Sequence, residues 1–363
     1  MKIGIISIHY GVNFGSALQA YALPKYIKSI FPDAETEVVN YIPPRYRFKK
    51  QYLYNGGSGI KKRIGWMFRA IQRFVNDSKY KKYLSSITNV SSQIFDAKTA
   101  KDRYKEYDCL IAGSDQIWNS DYNQGFDPMY YLCFGSDGTR KVSYAASCGK
   151  NNFSDNEWAD MKKSLKSFSK ISIRESSTVE IMREKGIECQ FVLDPTYLLS
   201  KEEWSKIEKK EDIKEQFLLI YLLDVDGRDI IKYAKNVAKQ RNLKTVLIAN
   251  GPAIKKYDVD YIMWNKTPDS YIWLFRNASY VITNSFHGTS FSINMEKQFV
   301  VFKRDKYNSR IDSILGAMGL EDRCVMLNGM KIPSDIDYSC VNEKKEALLI
   351  ESQKFIKEAL CDE

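Results

Sequence analysis

Histidine is scarce in this chain of 363 residues, and its cysteines are never paired in a C-x-x-C motif. There are two histidines, His9 and His287, and seven scattered cysteines. That pattern argues against a zinc site or a disulfide framework and favours a reducing compartment. No stretch approaches the roughly 20 apolar residues of a membrane-spanning helix, and residues 1–8 indicate a strand rather than a secretory signal. We therefore expect a cytoplasmic protein with no metal and no cofactor.

The length of the chain favours more than one domain, because it exceeds what one compact core usually holds. Apolar runs alternate with helical patterns, which predicts an α/β fold of two Rossmann-like domains facing a cleft. We expect an N-terminal domain at 1–199, a second domain at 200–341, and a helix at 342–363 that can pack back on the first. Predicted strands are 2–8, 37–41, 108–113, 141–147, 169–174, 190–195, 217–223, 245–250, 278–283 and 298–302; predicted helices include 17–30, 227–241, 269–276 and 289–296, and a charged linker and helix are predicted over about 200–215.

Positive charge is concentrated between Arg45 and Lys82, the segment 45–82, where twelve Lys or Arg accompany one acid, Asp77. The spacing from 59 to 77 predicts an amphipathic helix, preceded by a flexible glycine-rich break. A basic helix rich in aromatic residues indicates contact with an anionic membrane surface. The alternative is an insertion helix that packs its apolar face on the domain and solvates its charges. Because no recognised nucleic-acid module accompanies the segment, we expect no nucleic acid partner.

His287 follows the apolar, β-branched run 278–283 and precedes a predicted helix at 289–296. It is therefore expected at a strand-to-helix turn, at the carboxyl end of a parallel strand, where open α/β sheets bind ligands. The helix dipole and the free N–H groups there favour an anion. A neutral imidazole can also transfer a proton near pH 7. The alternative is a histidine that caps the turn or packs in the core.

A second glycine-bearing turn follows the first predicted strand. Its glycines, Gly11 and Gly15, do not have the G-x-G-x-x-G spacing. A dinucleotide fingerprint is therefore absent.

Several motifs together resemble those of the polysaccharide pyruvyl transferase family. The segment ending in Gly113-Ser114-Asp115-Gln116-Ile117-Trp118-Asn119 resembles the family's G-S-D-Q-x-W-N signature. The resemblance is collinear from about residue 3 to residue 320, and it is the joint occurrence of the motifs that makes it specific. The other matching segments are Asn13–Ala20, Tyr144–Gly149, Ile173–Ser177, Val192–Thr196 and Asn284–Gly288.

This resemblance implies a glycosyltransferase-B-like fold and transfer of a pyruvyl group from phosphoenolpyruvate to a sugar, commonly as a cyclic ketal. The acceptor it implies is a saccharide linked to polyprenyl diphosphate, used in surface polysaccharide such as capsule or exopolysaccharide. Because such an acceptor lies in the membrane, the resemblance is consistent with a basic helix that binds the inner face of the plasma membrane. The acceptor sugar and the oligomeric state are not encoded in any pattern of the chain.

For the donor, Arg174 resembles the family arginine that binds phosphoenolpyruvate; the alternative is a structural ion pair with Glu175 or Asp194. The turn formed by Ser285, His287, Gly288 and Thr289 would hold the anionic part of the donor. Some family members carry arginine two residues before this histidine, where this chain has Ser285. The missing cation predicts a replacement from downstream, for which the candidates are Lys303, Arg304 and Arg310.

Ketal formation needs a general acid and a general base. We expect His287 to donate the proton or to orient the phosphate as an imidazolium. Asp115 is the first candidate for the base and Glu175 the second; the alternative for Asp115 is a cap on the turn that follows it. Acceptor contacts are expected on the N-terminal domain, where an indole face suits a sugar ring and amides suit hydroxyls. These candidates are Asn13, Gln116, Trp118 and Asn119; for Trp118 the alternative is core packing.

Two other functions remain open at this point. The same architecture supports sugar transfer from a nucleotide donor, since fold alone does not fix the reaction. That donor would require recognition of a base and a ribose, for which the sequence shows no clear feature. A non-catalytic scaffold at a membrane surface is the other alternative, and the presence of Arg174, Asp115 and His287 argues against it.

Overall fold

The structure of the chain is a computed structural model. It describes most of the sequence and includes every candidate site residue. Residues 47–59 of the basic segment, with the glycine-rich break, lie outside the described residues. The described ranges are 1–46, 60–91, 100, 106–136, 138–223, 227–249, 257–304, 308–326 and 332–361.

The N-terminal half is built on a parallel sheet with the strand order β2-β1-β3-β4. Its strands are β1 Lys2–Ile6, β2 Glu35–Val38, β3 Cys109–Ala112 and β4 Arg140–Ser143. A short parallel pair, β5 Ser172–Ile173 and β6 Gln190–Phe191, continues beyond β4. A bridge between Ala146 and Ile173 connects this pair to the segment after β4. Because every pairing is parallel, the carboxyl ends of these strands lie at the same edge.

Helices connect these strands, and their caps come from the local sequence. The first helix begins where the side chain of Asn13 accepts a hydrogen bond from the backbone N–H of Ser16. Another begins with a capping box between Ser154 and Glu157. The helices of this half are α1 Phe14–Ile30, α2 Ile60–Ile87, α3 Ser120–Asn123, α4 Asp155–Leu165 and α5 Ser176–Glu184.

The C-terminal half contains a six-stranded parallel sheet with the order β12-β11-β10-β7-β8-β9. Its central strands are almost wholly apolar and buried, as strands covered by helices on both faces require. Its strands are β7 Phe217–Tyr221, β8 Lys244–Ala249, β9 Tyr261–Trp264, β10 Tyr280–Thr283, β11 Gln298–Phe302 and β12 Cys324–Val325. Its helices are α6 Lys201–Ser205, α7 Arg228–Gln240, α8 Pro268–Asn277, α9 Phe286–Asn294, α10 Ser309–Met318 and α11 Tyr338–Leu360.

Several predicted elements need correction. The charged linker and helix predicted over about 200–215 contain a helix only at Lys201–Ser205, which begins with a capping box at Ser200. The strands predicted at 169–174 and 190–195 are shorter and span Ser172–Ile173 and Gln190–Phe191. The helix predicted at 289–296 begins at Phe286, because the side chain of Ser285 already accepts from the backbone N–H of Gly288. The basic helix is longer than the predicted 59–77 and reaches Ile87.

Helix α1 joins the two halves. The ring of Phe14 at its start stacks on Tyr271 of α8, with the ring centroids 5.1 Å apart, and both belong to one buried apolar cluster. Helix α11 contributes Phe355 and Ile356 to the cluster that covers β1. The boundaries of the predicted domains stay predictions. No helix in the described ranges is both long and apolar enough to cross a membrane.

Candidate active site

A polar cleft of about 290 Å³ lies between the two sheets. The segments that line it follow β1, β3, β7, β10 and β11, so both sheets direct the carboxyl ends of their strands toward it. This is where parallel α/β sheets place their ligands. The lining residues are Ile8, Val12, Asn13, Ser16, Asp115, Gln116, Tyr122, Leu223, Asn284, Ser285, Phe286, His287, Arg304, Arg310 and Ile311.

His287 lies in the first turn of α9 and lines the cleft with only 4% of its surface exposed. Its ring is pressed against Gly15 of α1, where a Cβ atom would be 2.0 Å from the imidazole Cγ. Among the described residues the Nε2 atom has no hydrogen-bond partner, and it lies 3.8 Å from Oδ2 of Asp194. The imidazole is therefore fixed in place, with one ring nitrogen unpaired near a buried carboxylate.

Burial lowers the pKa of His287 below its usual value, although the carboxylates of Asp194 and Asp115 oppose this effect. The ring is therefore neutral near pH 7 when the cleft is empty. A bound polyanion would raise the pKa again, because a nearby negative charge favours the imidazolium. The site can thus couple protonation of His287 to anion binding.

The other predicted members of this turn take different positions. Ser285 lines the cleft and caps α9. Gly288 packs on Thr283, where a Cβ atom would approach Oγ1 to 2.3 Å. Thr289 is fully buried and donates its hydroxyl to the carbonyl oxygen of Ser285. Neither Gly288 nor Thr289 lines the cleft; both support the turn from behind.

Arg174 follows β5 and is buried beneath the cleft rather than lining it. Its guanidinium donates to Oδ2 of Asp194 at 2.7 Å and to Oδ1 of Asp115 at 3.1 Å. It also lies over the ring of Phe286, with Cζ 4.4 Å from the ring centroid. Arg174 therefore forms the ion pair with Asp194 that the alternative interpretation describes. Direct contact of Arg174 with the donor stays a prediction.

Asp115 lies in the loop after β3 with a φ of 77°, in the left-handed region that non-glycine residues seldom adopt. Its carboxylate accepts from the backbone N–H of Gln116, from Arg174 and from the hydroxyl of Ser16. Burial alone would raise the pKa of Asp115, but Arg174, His287 and Arg310 outweigh it and lower the pKa to about 2. The group is ionised at neutral pH and lines the cleft.

Of the three downstream cations, two line the cleft. Arg310 in α10 is buried, and within the described part of the chain it forms no salt bridge and its Nε has no hydrogen-bond partner. Burial, followed by the repulsion of Arg174, lowers the pKa of Arg310 to about 10, so it stays charged. Arg304 also lines the cleft. Lys303 instead forms an ion pair with Asp312 at 2.8 Å and does not line the cleft, which makes Arg310 the best candidate for the missing cation.

Glu175, the second candidate for the base, is completely buried behind the cleft. Its Oε1 accepts from the hydroxyl of Ser147 and, at 3.1 Å, from the backbone N–H of Gly149, whereas Oε2 has no partner among the described residues. Burial raises the pKa of Glu175 despite the nearby Arg174. Because its side chain does not line the cleft, Glu175 remains the second candidate for the base, behind Asp115.

The predicted acceptor residues divide into two pairs. Asn13 and Gln116 line the cleft. Asn119 is buried and caps α3 by accepting from the N–H groups of Asp121 and Tyr122. Trp118 is 1% exposed, stacks on Tyr131 and donates its indole N–H to the carbonyl oxygen of Tyr130. The structure therefore shows core packing for Trp118, the alternative interpretation, and no indole face toward the cleft.

Sequence reasoning did not select several residues of the site. Asp194 accepts from Arg174 and from the hydroxyl of Ser114 at 2.8 Å. Tyr122 and Asn284 line the cleft. Asp194 and Asn284 lie within motifs that resemble those of the family, and this location in the motifs could have marked them as site residues. Within the described residues, no three His, Cys, Asp or Glu side chains are grouped so as to hold a metal ion.

The fold is similar to that of solved structures with little sequence identity. A UDP-GlcNAc 2-epimerase from Neisseria meningitidis, solved with UDP-GlcNAc, is 9% identical with a TM-score of 0.51, over 100% of this chain and 95% of that one. A Listeria monocytogenes protein assigned as a UDP-N-acetylglucosamine 2-epimerase is 10% identical with a TM-score of 0.51, over 99% and 91%. These likenesses confirm the predicted glycosyltransferase-B-like α/β fold.

Sequence comparison identifies the family. No curated protein sequence matches the chain significantly. The family model described as polysaccharide pyruvyl transferase, however, matches residues 13–306, which is most of the chain. The match includes the start of α1, the Asp115 loop, Arg174 and the His287 turn, and it confirms the predicted resemblance. The chain belongs to the polysaccharide pyruvyl transferase family.

Proposed function

We propose that this protein transfers a pyruvyl group from phosphoenolpyruvate to a saccharide and forms a pyruvate ketal in the synthesis of a surface polysaccharide. Family membership supports transfer of a pyruvyl group. The observation that carries the proposal for the donor is Arg310, a buried guanidinium that lines the cleft without a paired carboxylate among the described residues. A buried charge of this kind normally has a partner, and an anionic donor would supply it.

The donor would bind between Arg310, Arg304 and the N-terminus of α9. Arginine suits this role because its planar fork donates two hydrogen bonds to a phosphate or a carboxylate. Ser285 caps the helix, and the dipole at that end adds further attraction for an anion. Arg174 acts from beneath the cleft, where it holds Asp115 and Phe286 in position.

His287 would deliver a proton to the methylene carbon C3 of phosphoenolpyruvate. Protonation there leaves cationic character at C2, which one sugar hydroxyl attacks. A second hydroxyl then bonds to C2 as the C2–O bond to phosphate breaks, and the departing inorganic phosphate takes the proton of that hydroxyl, which closes the ketal. Binding of the anionic donor would raise the pKa of His287, so that the imidazole becomes protonated only when the donor is bound.

Asp115 would accept the proton of the attacking hydroxyl, directly or through the hydroxyl of Ser16 that donates to it. A carboxylate with a pKa of about 2 is a weak base. The hydroxyl becomes strongly acidic once its oxygen bonds to a cationic carbon, so a weak base suffices at that stage. Asn13 and Gln116 line the same cleft and are the proposed acceptor contacts.

The test is release of inorganic phosphate from phosphoenolpyruvate by the purified protein, with a panel of saccharides linked to polyprenyl diphosphate as acceptors. A phosphate signal together with a sugar product heavier by one pyruvate ketal supports the proposal. Thermal shift by phosphoenolpyruvate is measured in parallel, with UDP-GlcNAc as the comparison ligand. A shift by UDP-GlcNAc and none by phosphoenolpyruvate, with no phosphate release, would overturn the proposal in favour of a nucleotide-sugar donor.

A further inference from the structure

Helix α2 carries an apolar stripe that is only partly covered by the rest of the protein. Its residues follow the helical spacing i, i+4, i+7 and i+8, which places them on one face. Each of these side chains is about half exposed, although a buried stripe would be expected if the helix packed by its apolar side. The stripe consists of Met67 at 49%, Ile71 at 54%, Phe74 at 50% and Val75 at 51% exposure.

The same helix is attached to the protein by its opposite face. Tyr80 lies nine residues after Ile71, which is about two and a half turns and hence the other side of the helix. Tyr80 and Leu84 are buried, and the ring of Tyr80 lies 5.5 Å from that of Phe14. The side chain of Lys79 also donates to the carbonyl oxygen of Asn265. The orientation of α2 is therefore fixed, and it presents the stripe to the outside.

The charge around the stripe indicates its partner. Segment 45–82 has a net charge of +11 from twelve cations and one acid, and the described Lys79 and Lys82 are exposed. A protein surface that matched this charge would need a dense acidic patch. An anionic bilayer offers both the negative surface and the apolar interior that the stripe requires.

Helix α2 also lies beside the catalytic cleft. Asp77, Tyr80 and Lys81 form one wall of a small cavity of about 120 Å³, and its other wall includes His9. The cleft is lined by Ile8, Val12 and Asn13 of the same loop. The loop 8–13 therefore contributes residues to both the helix-side cavity and the cleft.

We propose that the apolar stripe of α2 inserts into the surface of an anionic membrane, with exposed cations such as Lys82 on the lipid headgroups, and so holds the cleft beside the bilayer. This proposal deepens the proposed function, because it places the enzyme where a lipid-linked acceptor resides. The bilayer itself is the partner, so binding requires neither donor nor acceptor. The apolar packing expected under the alternative interpretation is not what the described side chains show.

The test is co-sedimentation of the full-length protein with vesicles of phosphatidylcholine alone or mixed with phosphatidylglycerol. We expect binding to the anionic vesicles that weakens with salt, and at least about a tenfold loss of affinity in the double variant Ile71→Glu/Val75→Glu. The matched control is Ile350→Glu, which changes an equally exposed isoleucine on α11 (53%) and should bind as the wild type does. Melting temperatures show that each variant is folded.

Equal binding of Ile71→Glu/Val75→Glu and wild type, or equal binding to neutral and anionic vesicles, would overturn the proposal. A stripe that instead joins two copies would give a dimer in sedimentation velocity that the double variant converts to monomer, without vesicle binding. Activity separates this proposal from the function. With a water-soluble acceptor the double variant should release phosphate at the wild-type rate, and with an acceptor embedded in vesicles it should be slower. A protein inactive in both assays that still binds vesicles would contradict the proposed function alone.

Discussion

The imidazole of His287 occupies the space where a side chain at Gly15 would lie. A Cβ atom at Gly15 would be 2.0 Å from the imidazole Cγ, far inside van der Waals contact. Gly15 belongs to α1 and His287 to α9, so the contact joins the loop after β1 to the turn after β10. The position of the proposed acid therefore depends on the absence of a side chain in the other half.

Gly15→Ala should displace the His287 ring and lower kcat by about a hundredfold, since a shift of about 1 Å at a catalytic group has that effect. The fold should persist, because alanine is the better helix former by roughly 0.5–1 kcal/mol. Steady-state kinetics and thermal melting measure the two effects. Gly138→Ala is the control, since a Cβ atom there meets nothing within 4 Å. Wild-type kcat in Gly15→Ala would show that the ring position is unimportant.

The pH dependence of the reaction should move on donor binding. Burial holds the pKa of His287 below 6.5 in the free enzyme, so kcat/KM should fall as the pH rises through that lowered value. In the complex, the anionic donor raises the pKa, and the same fall in kcat should occur at higher pH. His287→Gln should lose most of its activity, and neither its kcat nor its kcat/KM should show this fall with rising pH. If kcat and kcat/KM fell at the same pH, protonation of His287 would not be coupled to donor binding.

Arg310→Met should raise the KM for phosphoenolpyruvate by roughly 10- to 100-fold, the effect of losing a charge-assisted hydrogen bond. The same substitution should raise the melting temperature of the free protein, because it removes a buried charge that has no paired carboxylate among the described residues. Lys303→Met is the control, since Lys303 pairs with Asp312 away from the cleft. An unchanged KM in Arg310→Met would remove this residue from the donor site.

Asp194→Asn should destabilise the protein by about 3 kcal/mol, because it leaves the buried guanidinium of Arg174 without one of its two charged partners. Arg174→Met should have a comparable effect. In the double variant the losses should be less than additive, since each single change already breaks the same pair. Urea unfolding of the four proteins measures this coupling, and strict additivity would contradict it.

Glu175→Gln should change how stability depends on pH. The folded protein raises the pKa of Glu175 above its usual 4.5, so the unfolded chain loses this proton first as the pH rises. Between pH 4.5 and the raised pKa of Glu175 in the folded protein, this group therefore lowers the free energy of unfolding of the wild type as the pH rises. Relative to wild type, the free energy of unfolding of Glu175→Gln should increase across that window. Denaturant titrations between pH 4 and pH 8 measure the difference, and a constant difference would refute the assignment.

The central strands and the His287 turn could be predicted because each depends on a short, local pattern. Strand β11 lies at the predicted 298–302, where an apolar run fully defines it. The edge strand β9, Tyr261–Trp264, was missed because its burial is partial and its sequence has no clear alternation.

The network around Arg174 could not be derived from local pattern. Its partners Ser114 and Asp194 lie 60 and 20 positions away in the chain. Choosing Asp194 rather than the adjacent Glu175 requires knowing how β5 and β6 pair. Trp118 posed the same difficulty, because a tryptophan can present its ring to a sugar or bury it against Tyr131. Only tertiary packing distinguishes these cases.

The contacts across the cleft also hold the proposed catalytic groups together. Gly15 against His287 and Arg174 against Phe286 each join a residue of one half to a residue of the other. A rotation that moved the halves apart would separate both pairs together. In such an open form the proposed catalytic groups would therefore be separated from one another. Under the proposed function, phosphoenolpyruvate bound to such a form would lack the groups that the reaction needs.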